Sequence, residues 1–510
     1  MTASHFLGLD IGAGSLKATL IDGAGRVCGE ASMALVTHAP QPGWSEQDPD
    51  DWFAAVCATV PRTLAQAGVG PEAIAALTFS AGAHSQVVVG ADGRPLRRAI
   101  MWNDQRSLDQ VRRLETEHGP EIRELGLNRV TATWTLPQLL WVAENEPAVR
   151  RNAARVYLAK DYLRGRISGD WLTDQVDALG TLMYDGMNRR WSDRLCGLID
   201  WPLHTLPRVV EPHEIVGQVT AEAAAATGLR AGTPVVAGSS DTAIEAFGAG
   251  VASPGDALIK LATAGTVSVI GDAPRRAPGL IDYYFVVPGL WYAITGTNSC
   301  ASAHRWLRDR FFMNGVAPDQ GSAVFTAMDR LAAEMPLGAD GLIFHPYLQG
   351  ERSPHWDPLL RADFLGLTIR HQPGHLVRAL YEGIAFSLRE CLGSFTDQGI
   401  KVDAARIVGG GARSALWRQI IADVLGLAVM APRHGDASYG AALLAAVGAG
   451  HFPSHRAAID ACVEVVERHD PDPAAHARYT ELFGIYQDSQ RRLASVCHDL
   501  HRFAHPGTAR

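Results

Sequence analysis

Apolar positions open the chain in short runs. Phe6 to Leu9 is apolar, a stretch with Asp10, Gly12 and Gly14 follows, and Ala18 to Ile21 is apolar again. Short apolar runs bounded by turn residues predict strands. Asp22-Gly23-Ala24-Gly25 then predicts a turn, and Arg26 to Gly29 a third strand. Consecutive antiparallel strands at the opening argue against a Rossmann-type start. Further on the period changes. Asp48-Pro49 reads as a helix beginning, with Asp as cap and Pro in the first turn, and Trp52, Phe53, Val56, Val60 and Leu64 recur at helical spacing. Ile74 to Phe79 predicts a strand ending at Ser80-Ala81-Gly82. Val87 to Val89 and Leu96 to Ile100 flank Asp92-Gly93 as a hairpin. Residues 105 to 190 read as mostly helical.

Val235 to Ala237 predicts a short strand that runs through Gly238-Ser239-Ser240-Asp241 into a helix. Near residue 250 the opening pattern restarts. Ala257 to Leu261 is apolar, Thr263-Ala264-Gly265-Thr266 is a turn, and Val267 to Ile270 is apolar. LIKLATAGTVSVIGD thus imitates LGLDIGAGSLKATLID as a pattern, and predicts two lobes of similar topology, each presenting a tight hairpin loop. A helix from about His375 carries Leu376, Leu380, Ile384, Leu388 and Leu392 on one stripe. Ala405 to Val408 is a strand broken by Gly409-Gly410-Gly411. Helices near 414–425, 438–449 and 475–503 follow. Gly248, Gly250, Pro254 and Gly255 predict a hinge near 248–255.

Length sharpens that picture. At 510 residues the chain is too long for one compact core, and the division falls into 1–248 and 249–510. A net charge of -8 with scattered basic residues points away from nucleic acid and anionic membranes. No apolar run approaches the ~18 residues of a membrane span, and the start lacks the basic segment of a signal peptide. The cysteine count of 7 is odd and no pair has CxxC spacing. A disulfide framework or zinc site is disfavoured and a reducing, cytoplasmic setting is expected.

Candidate chemistry sits at the predicted strand ends. In Asp10-Ile-Gly12-Ala-Gly14-Ser15-Leu-Lys17 the glycines let N–H groups approach an anion, Lys17 adds charge, and Asp10 suits a hydrated magnesium ion. The chain lacks GxxxxGK[ST], and a GxGxxG fingerprint would need glycine at Lys17. An ordinary turn is the competing reading of both loops, and the pairing of loops on two lobes favours a bridging nucleotide. Gly409-Gly410-Gly411 admits a flat ligand against bare backbone, or else is a flexible turn; each glycine costs about 0.5–1 kcal/mol relative to Ala in regular structure. Asp241 reads equally as a helix N-cap and as a carboxylate base, and a helix N-terminus keeps it ionised. His84 alone reads as structural. Trp102-Asn103-Asp104-Gln105-Arg106 joins an aromatic face to polar groups, as a sugar pocket needs, against the alternative of a core Trp with a polar loop.

In this order the segments resemble the FGGY carbohydrate kinases, the xylulokinase branch most of all. The resemblance runs from about residue 6 to 450. It is carried by LGLDIGAGSLK, GWSEQDPDDW, WNDQR, GTPVVAGSSDTA, LATAGT, YLQGERSPHWDP, FLGLTIRHQPGHLVRALYEGIAFSLRE and GGGARSALWRQIIADVLG. It implies a two-lobed α/β fold of the actin-like (ribonuclease H-like) type, with ATP and Mg²⁺ in a central cleft. By the same resemblance Asp10 and Asp241 attend the metal. Gly12, Ala13, Gly14, Ser15 and Lys17, with Thr263, Gly265 and Thr266, cradle phosphates. Gly410, Gly411 and Arg413 lie along the adenosine. Asp241 is the base, and Ala83, His84, Trp102, Asn103, Asp104 and Thr242 line the sugar pocket. The chain departs from the branch at Ala81-Gly82-Ala83-His84-Ser85, where GQMHG is usual, at Thr242 for Asn, at Gln138 for Lys and at Ala13 for Thr.

The activity implied is transfer of the ATP γ-phosphoryl group to a ketose hydroxyl, D-xylulose to D-xylulose 5-phosphate first. Another sugar or polyol (ribulose, gluconate, glycerol) is the alternative, because two altered pocket positions suffice to switch substrates. A nucleotide-dependent sensor on the same fold is a further alternative. Partners are then ATP and a small sugar, with no nucleic acid or membrane; a homodimer is left open.

Overall fold

A computed structural model of the protein describes residues 4–313 and 321–505. Strand β1 (His5–Ile11) pairs antiparallel with β2 (Ser15–Asp22), and β2 with β3 (Val27–Ala34). Helix α1 (Pro49–Ala67) begins as its sequence requires: the Asp48 carboxylate accepts the Asp50 N–H at 3.0 Å and Pro49 occupies the first turn. Strand β4 (Ile74–Ala81) runs parallel to β1 on the side away from β2. Strands β5 (Ile215–Gln218) and β6 (Pro234–Val236) extend the sheet, β6 parallel to β4 and β5 antiparallel to β6. The two-residue β7 (Ser239–Ser240) returns beside the end of β4 and leads into α2 (Asp241–Gly248).

The second sheet repeats the first. Strand β8 (Ala257–Leu261) pairs antiparallel with β9 (Gly265–Gly271), beyond which lie β10 (Ile281–Tyr284) and β11 (Trp291–Thr297), with β11 beside β9. Helix α3 (Pro373–Thr396) crosses beneath. Then β12 (Ala404–Val408) lies parallel to β8, α4 (Ala415–Leu425) follows, and β13 (Ala428–Pro432) lies parallel to β12. Helix α5 (Ala437–Gly448) precedes β14 (Val465–His469), which is antiparallel to β13, and α6 (Pro473–Ala504) closes the description. Across β3-β2-β1-β4-β6-β5 and across β11-β9-β8-β12-β13-β14 the pairings run antiparallel, antiparallel, parallel, parallel, antiparallel. The likeness of the two opening hairpins therefore extends across both sheets. This is a two-lobed α/β fold of the actin-like type.

Helix α5 comes from the second half of the chain yet lies on the first sheet. A Cβ on Gly8 of β1 would stand 2.0 Å from the Ser438 carbonyl oxygen, and one on Gly440 would stand 2.1 Å from that of Ile244 in α2. Bare glycine backbone is what lets strand, α2 and α5 approach so closely. Thr19 and Ser438 share a hydrogen bond of 2.7 Å across this contact.

Between β4 and β5 an insertion builds the side of the first lobe. The expected hairpin forms about Asp92-Gly93, with Leu96 N–H donating to Val88 O at 2.9 Å, although its second arm is regular only over Ala99–Ile100. The helical stretch resolves into Leu108–Gly126, Thr135–Asn145, Pro147–Asn152, Ala159–Ser168 and Gln175–Leu179, interrupted by the short strands Arg155–Leu158 and Leu172–Asp174. No helix among the described residues is long and apolar enough to cross a membrane. All seven cysteines are free thiols.

Candidate active site

Parallel pairing brings the ends of β1, β4 and β7 into one row. Asp10 is the next-to-last residue of β1 and registers with Ser80 of β4, which registers with Ser239 of β7. The Ser80 hydroxyl donates to Asp10 Oδ1 at 2.5 Å. Two residues past Ser239 stands Asp241. Burial, and then the like charge of Asp241, push the Asp10 carboxyl up to about 7. The two carboxylates that the sequence singled out do converge.

Asp241 is not the helix cap. Ser240 holds that position and makes no side-chain capping bond, while Asp241 is the first helical residue. Its Oδ1 accepts the Thr242 N–H at 2.6 Å and the Thr242 hydroxyl at 3.2 Å. Thr242 thus steadies the carboxylate directly. A Cβ on Gly82 would lie 3.9 Å from Asp241 Oδ2 and 3.2 Å from Trp102 Cδ1. Gly82 therefore leaves a gap between the carboxylate and an indole that is 41% exposed.

His84 lies beside this gap and is enclosed. Its Nδ1 donates to Gly180 O at 2.6 Å, and its Nε2 faces the Tyr283 hydroxyl at 3.2 Å. A carbonyl can only accept, so Nδ1 carries the proton and Nε2 receives the hydroxyl. Burial pulls the imidazole down to about 4. Tyr283 belongs to β10, so this contact crosses from one lobe to the other. Asn128 and Asp282 reinforce it with a reciprocal pair of 2.8 Å bonds.

The remaining pocket residues divide. Ala83 is half-buried and Asn103 is exposed beside Trp102. Asp104 is buried, with one oxygen bonded to Arg106 Nε at 2.9 Å and the other to Arg106 Nη2 at 2.8 Å. It also accepts the Ser45 N–H at 2.5 Å, so both its oxygens are occupied within the protein. Gln138 is fully buried and donates to the Ala132 and Thr133 carbonyls, each at 3.3 Å.

In the first loop, Gly12 N–H donates to Ser15 O at 2.9 Å. The Ala13 carbonyl accepts from Gln47 at 2.7 Å and Thr37 at 3.2 Å, and the Gly14 carbonyl from Leu35 N–H at 3.0 Å. A Cβ on Gly14 would meet nothing within 4 Å. Lys17 does not offer a free charge: its ammonium pairs with Glu30 at 2.8 Å and Asp436 at 3.1 Å. In the second loop the Thr263 hydroxyl accepts from Arg305 at 3.0 Å, and Thr266 registers with Lys260. A Cβ on Gly265 would lie 2.9 Å from Thr297 Cγ2 and 3.1 Å from Cys300 Cβ.

The glycine triplet separates into three tasks. Gly409 has φ 94°, which glycine alone adopts at no cost. A Cβ on Gly411 would press on the Trp417 ring at 2.8 Å, whereas one on Gly410 would meet nothing within 4 Å. Gly410 and Arg413 are exposed and are the members open to a ligand.

Sequence reasoning missed Lys260 and Glu245. Lys260 is the next-to-last residue of β8, and its ammonium lies 2.6 Å from Glu245 of α2. Burial works against its charge, and Glu245, Asp241 and Asp10 together outweigh it and raise its affinity for the proton. The signal was present in the paired hairpins, where Lys260 and Asp10 hold corresponding places.

Among the described residues there is no group of three or more His, Cys, Asp or Glu side chains able to hold a metal. Two facing carboxylates fit instead a magnesium ion that keeps several waters and takes substrate phosphate oxygens as ligands.

Comparison with known proteins shows the family of the chain. The N-terminal domain model of the FGGY family of carbohydrate kinases matches residues 5–248 and the C-terminal domain model residues 257–449. A xylulose kinase of Staphylococcus epidermidis is 31% identical over 503 residues, which cover 98% of this chain and 99% of that one. A xylulose kinase of Bacillus subtilis is 32% identical over 487 residues, 95% of this chain and 96% of that one. The crystal structure of xylulose kinase from Rhodospirillum rubrum shares 31% identity with a TM-score of 0.88, covering 97% of this chain and 100% of that chain.

Proposed function

The chain belongs to the FGGY family of carbohydrate kinases, and on that premise we propose that it transfers the γ-phosphoryl group of ATP to a hydroxyl of D-xylulose, giving D-xylulose 5-phosphate. The observation that carries the kinase reading is the convergence of Asp10 and Asp241, with Gly82 and Trp102 beside Asp241, and the likeness to xylulose kinases over nearly the whole chain supports D-xylulose as the acceptor.

Phosphoryl transfer asks the protein for positioning and charge neutralisation. Gly12, Ala13, Gly14 and Ser15 present backbone to the phosphates from one lobe, and Thr263, Gly265 and Thr266 from the other. Gly410 and Arg413 lie along the nucleoside, and Gly411 acts from beneath by leaving room for the Trp417 ring. Trp102 stacks on the C–H face of the sugar, while His84, Ala83, Asn103, Asp104 and Thr242 shape its polar side. Of these, Asp104 acts by holding the loop through Arg106. Lys17 acts by tying β2 to α5 through Asp436. Asp241 accepts the proton of the attacking hydroxyl. Asp10 and Asp241 would hold Mg²⁺, which supplies charge neutralisation on the nucleotide phosphates. The division at 1–248 and 249–510 places the hinge at residues 248–255, with α5 staying on the first sheet as the lobes close, and closure excludes water as a competing acceptor. The seven free thiols support a cytoplasmic setting.

The test is an ADP-release assay over pentuloses, hexuloses, glycerol and sugar acids, with the product phosphate located by NMR. D-xylulose should give the highest kcat/KM and phosphate at its primary hydroxyl. A preference of more than ~10-fold for gluconate or glycerol would remove the substrate assignment. ATP hydrolysis indifferent to sugar would remove the kinase reading.

A further inference from the structure

Lys260 is where the two-fold likeness of the lobes becomes chemistry. Strands β1 and β8 hold the same place in their sheets, each between an antiparallel hairpin partner and a parallel neighbour. Each carries an ionisable residue one position before its end, Asp10 in β1 and Lys260 in β8. The first hairpin thus ends in a carboxylate and the second in an ammonium. Both charges act on one another and on Asp241. The Lys260 ammonium is fixed by a 2.6 Å contact to Glu245, one helical turn beyond Asp241 on α2. That contact crosses from the second sheet to the first lobe.

Two carboxylates at this point create a difficulty for the reaction. A phosphoryl group passing between ATP and a sugar held at Asp241 carries negative charge into their field. Lys17 on β2 is turned to Glu30 and Asp436, Arg413 is exposed at the glycine turn and Arg305 is bonded to the Thr263 hydroxyl, whereas the charge of Lys260 acts on both Asp10 and Asp241. We propose that Lys260 is a further catalytic residue, whose ammonium, aimed by Glu245, contacts the phosphoryl group in flight and offsets its charge against Asp10 and Asp241. In this step the sugar oxygen bonds to the γ-phosphorus and the bond from that phosphorus to the β–γ bridging oxygen breaks. The electron pair leaves with ADP, the sugar proton passes to Asp241, and Lys260 keeps its protons throughout. A fixed cation there costs no reorganisation as the charge develops. The inference rests on the kinase reading above.

Four variants test it: Lys260→Met, Lys260→Arg, Glu245→Gln, and Lys260→Met with Glu245→Gln. Lys260→Met should lower kcat by ~10²–10³, the scale on which a single preorganised donor acts, with the sugar KM within about threefold of wild type. Lys260→Arg should keep about a tenth of kcat, and Glu245→Gln should lose about tenfold in kcat at unchanged KM. The double variant decides between chemistry and a mere strut. It removes the unpaired buried Glu245 left by the single change, so it folds if the pair only holds the lobes together, and the proposal expects it to stay as slow as Lys260→Met. Recovery of kcat in the double variant to within about threefold of wild type would overturn the proposal. So would an undiminished kcat in Lys260→Met or in Glu245→Gln. Should Lys260→Met fail to fold, the double variant and Glu245→Gln carry the decision. Sugar-dependent ADP release by the wild type separates the two claims: its absence sinks the kinase reading, whereas its presence with an active Lys260→Met sinks only the role of Lys260.

Discussion

The two hairpin loops follow the same path and are used differently. In the first, Gly14 points its bare Cα at open space, and neighbouring carbonyls are anchored from outside by Gln47, Thr37 and Leu35. In the second, Gly265 is pressed between Thr297, Cys300 and Leu388. The first glycine keeps room for a ligand and the second keeps room for the protein. The strand ends differ in the same spirit, with Asp10 in one and Lys260 in the other. A shared topology thus fixes where backbone and side chains can meet the cleft, and single residues decide what charge each half contributes.

The sharpest way to break this comparison is at Asp241. If the first lobe supplies the proton acceptor, Asp241→Asn should bind ATP normally and lose at least ~10² in kcat. Isothermal titration with nucleotide and an ADP-release assay measure the two halves of that statement. Near-normal turnover would leave the lobes without the proposed division of labour.

Next in size is the contact that joins the lobes at His84. The folded protein satisfies only the neutral ring, because Nδ1 donates to Gly180 O and Nε2 receives Tyr283. Burial holds its pKa near 4 against 6.5 for the ordinary side chain. On acidification the unfolded chain takes up this proton from about pH 6.5 downward, and the folded chain does so only near pH 4. Stability from His84 is therefore complete above pH 6.5 and is lost as pH falls to about 4, by about 3 kcal/mol in all. Urea unfolding of wild type and His84→Gln between pH 7 and pH 4 should show a shallower acid loss in the variant. Parallel curves would mean that His84 titrates normally in the folded state.

Much of this was legible in the sequence because backbone chemistry is local. Asp48-Pro49, Asp92-Gly93 and the two hairpin turns announce themselves by residue type. The repeat showed because both lobes need an apolar strand, a small-residue loop and a second apolar strand. The cap alternative for Asp241 was off by one residue, since helix starts are decided by φ and ψ of Ser240 and its neighbours, which residue type fixes only loosely. Lys260, Glu245 and Tyr283 stayed hidden for a different reason. Each acts on a partner brought near by tertiary packing alone: Lys260 on Asp10, Tyr283 on His84. Lys17 and Asp104 erred the other way. They are the residue types that bind ligands, and the protein itself satisfies them through Glu30 and Asp436, and through Arg106.

The two loop glycines give the next test. Gly265→Ala should cost about 1–3 kcal/mol of stability, because the added methyl meets Thr297 Cγ2 at 2.9 Å in a packed site. Gly14→Ala should leave the unfolding free energy within about 0.5 kcal/mol of wild type and raise the KM for ATP. Thermal melts and nucleotide titrations of the two variants would show a crossed pattern. If Gly14→Ala were the destabilised one, the contrast between the loops would be reversed.

The smallest effect is expected at Trp102. Its indole is 41% exposed, so little core packing is lost when it is removed. Its Cδ1–Nε1 edge nevertheless stands beside Gly82 and near Asp241, which leaves the exposed ring for the C–H surface of a sugar. Trp102→Ala should therefore raise the sugar KM about tenfold, worth about 1.4 kcal/mol, a scale fitting one aromatic face. The unfolding midpoint and the KM for ATP should hardly move. The second lobe is untouched by this change, so a parallel rise in the KM for ATP would show that the sugar side and the nucleotide side are coupled through closure rather than furnished separately by the two lobes.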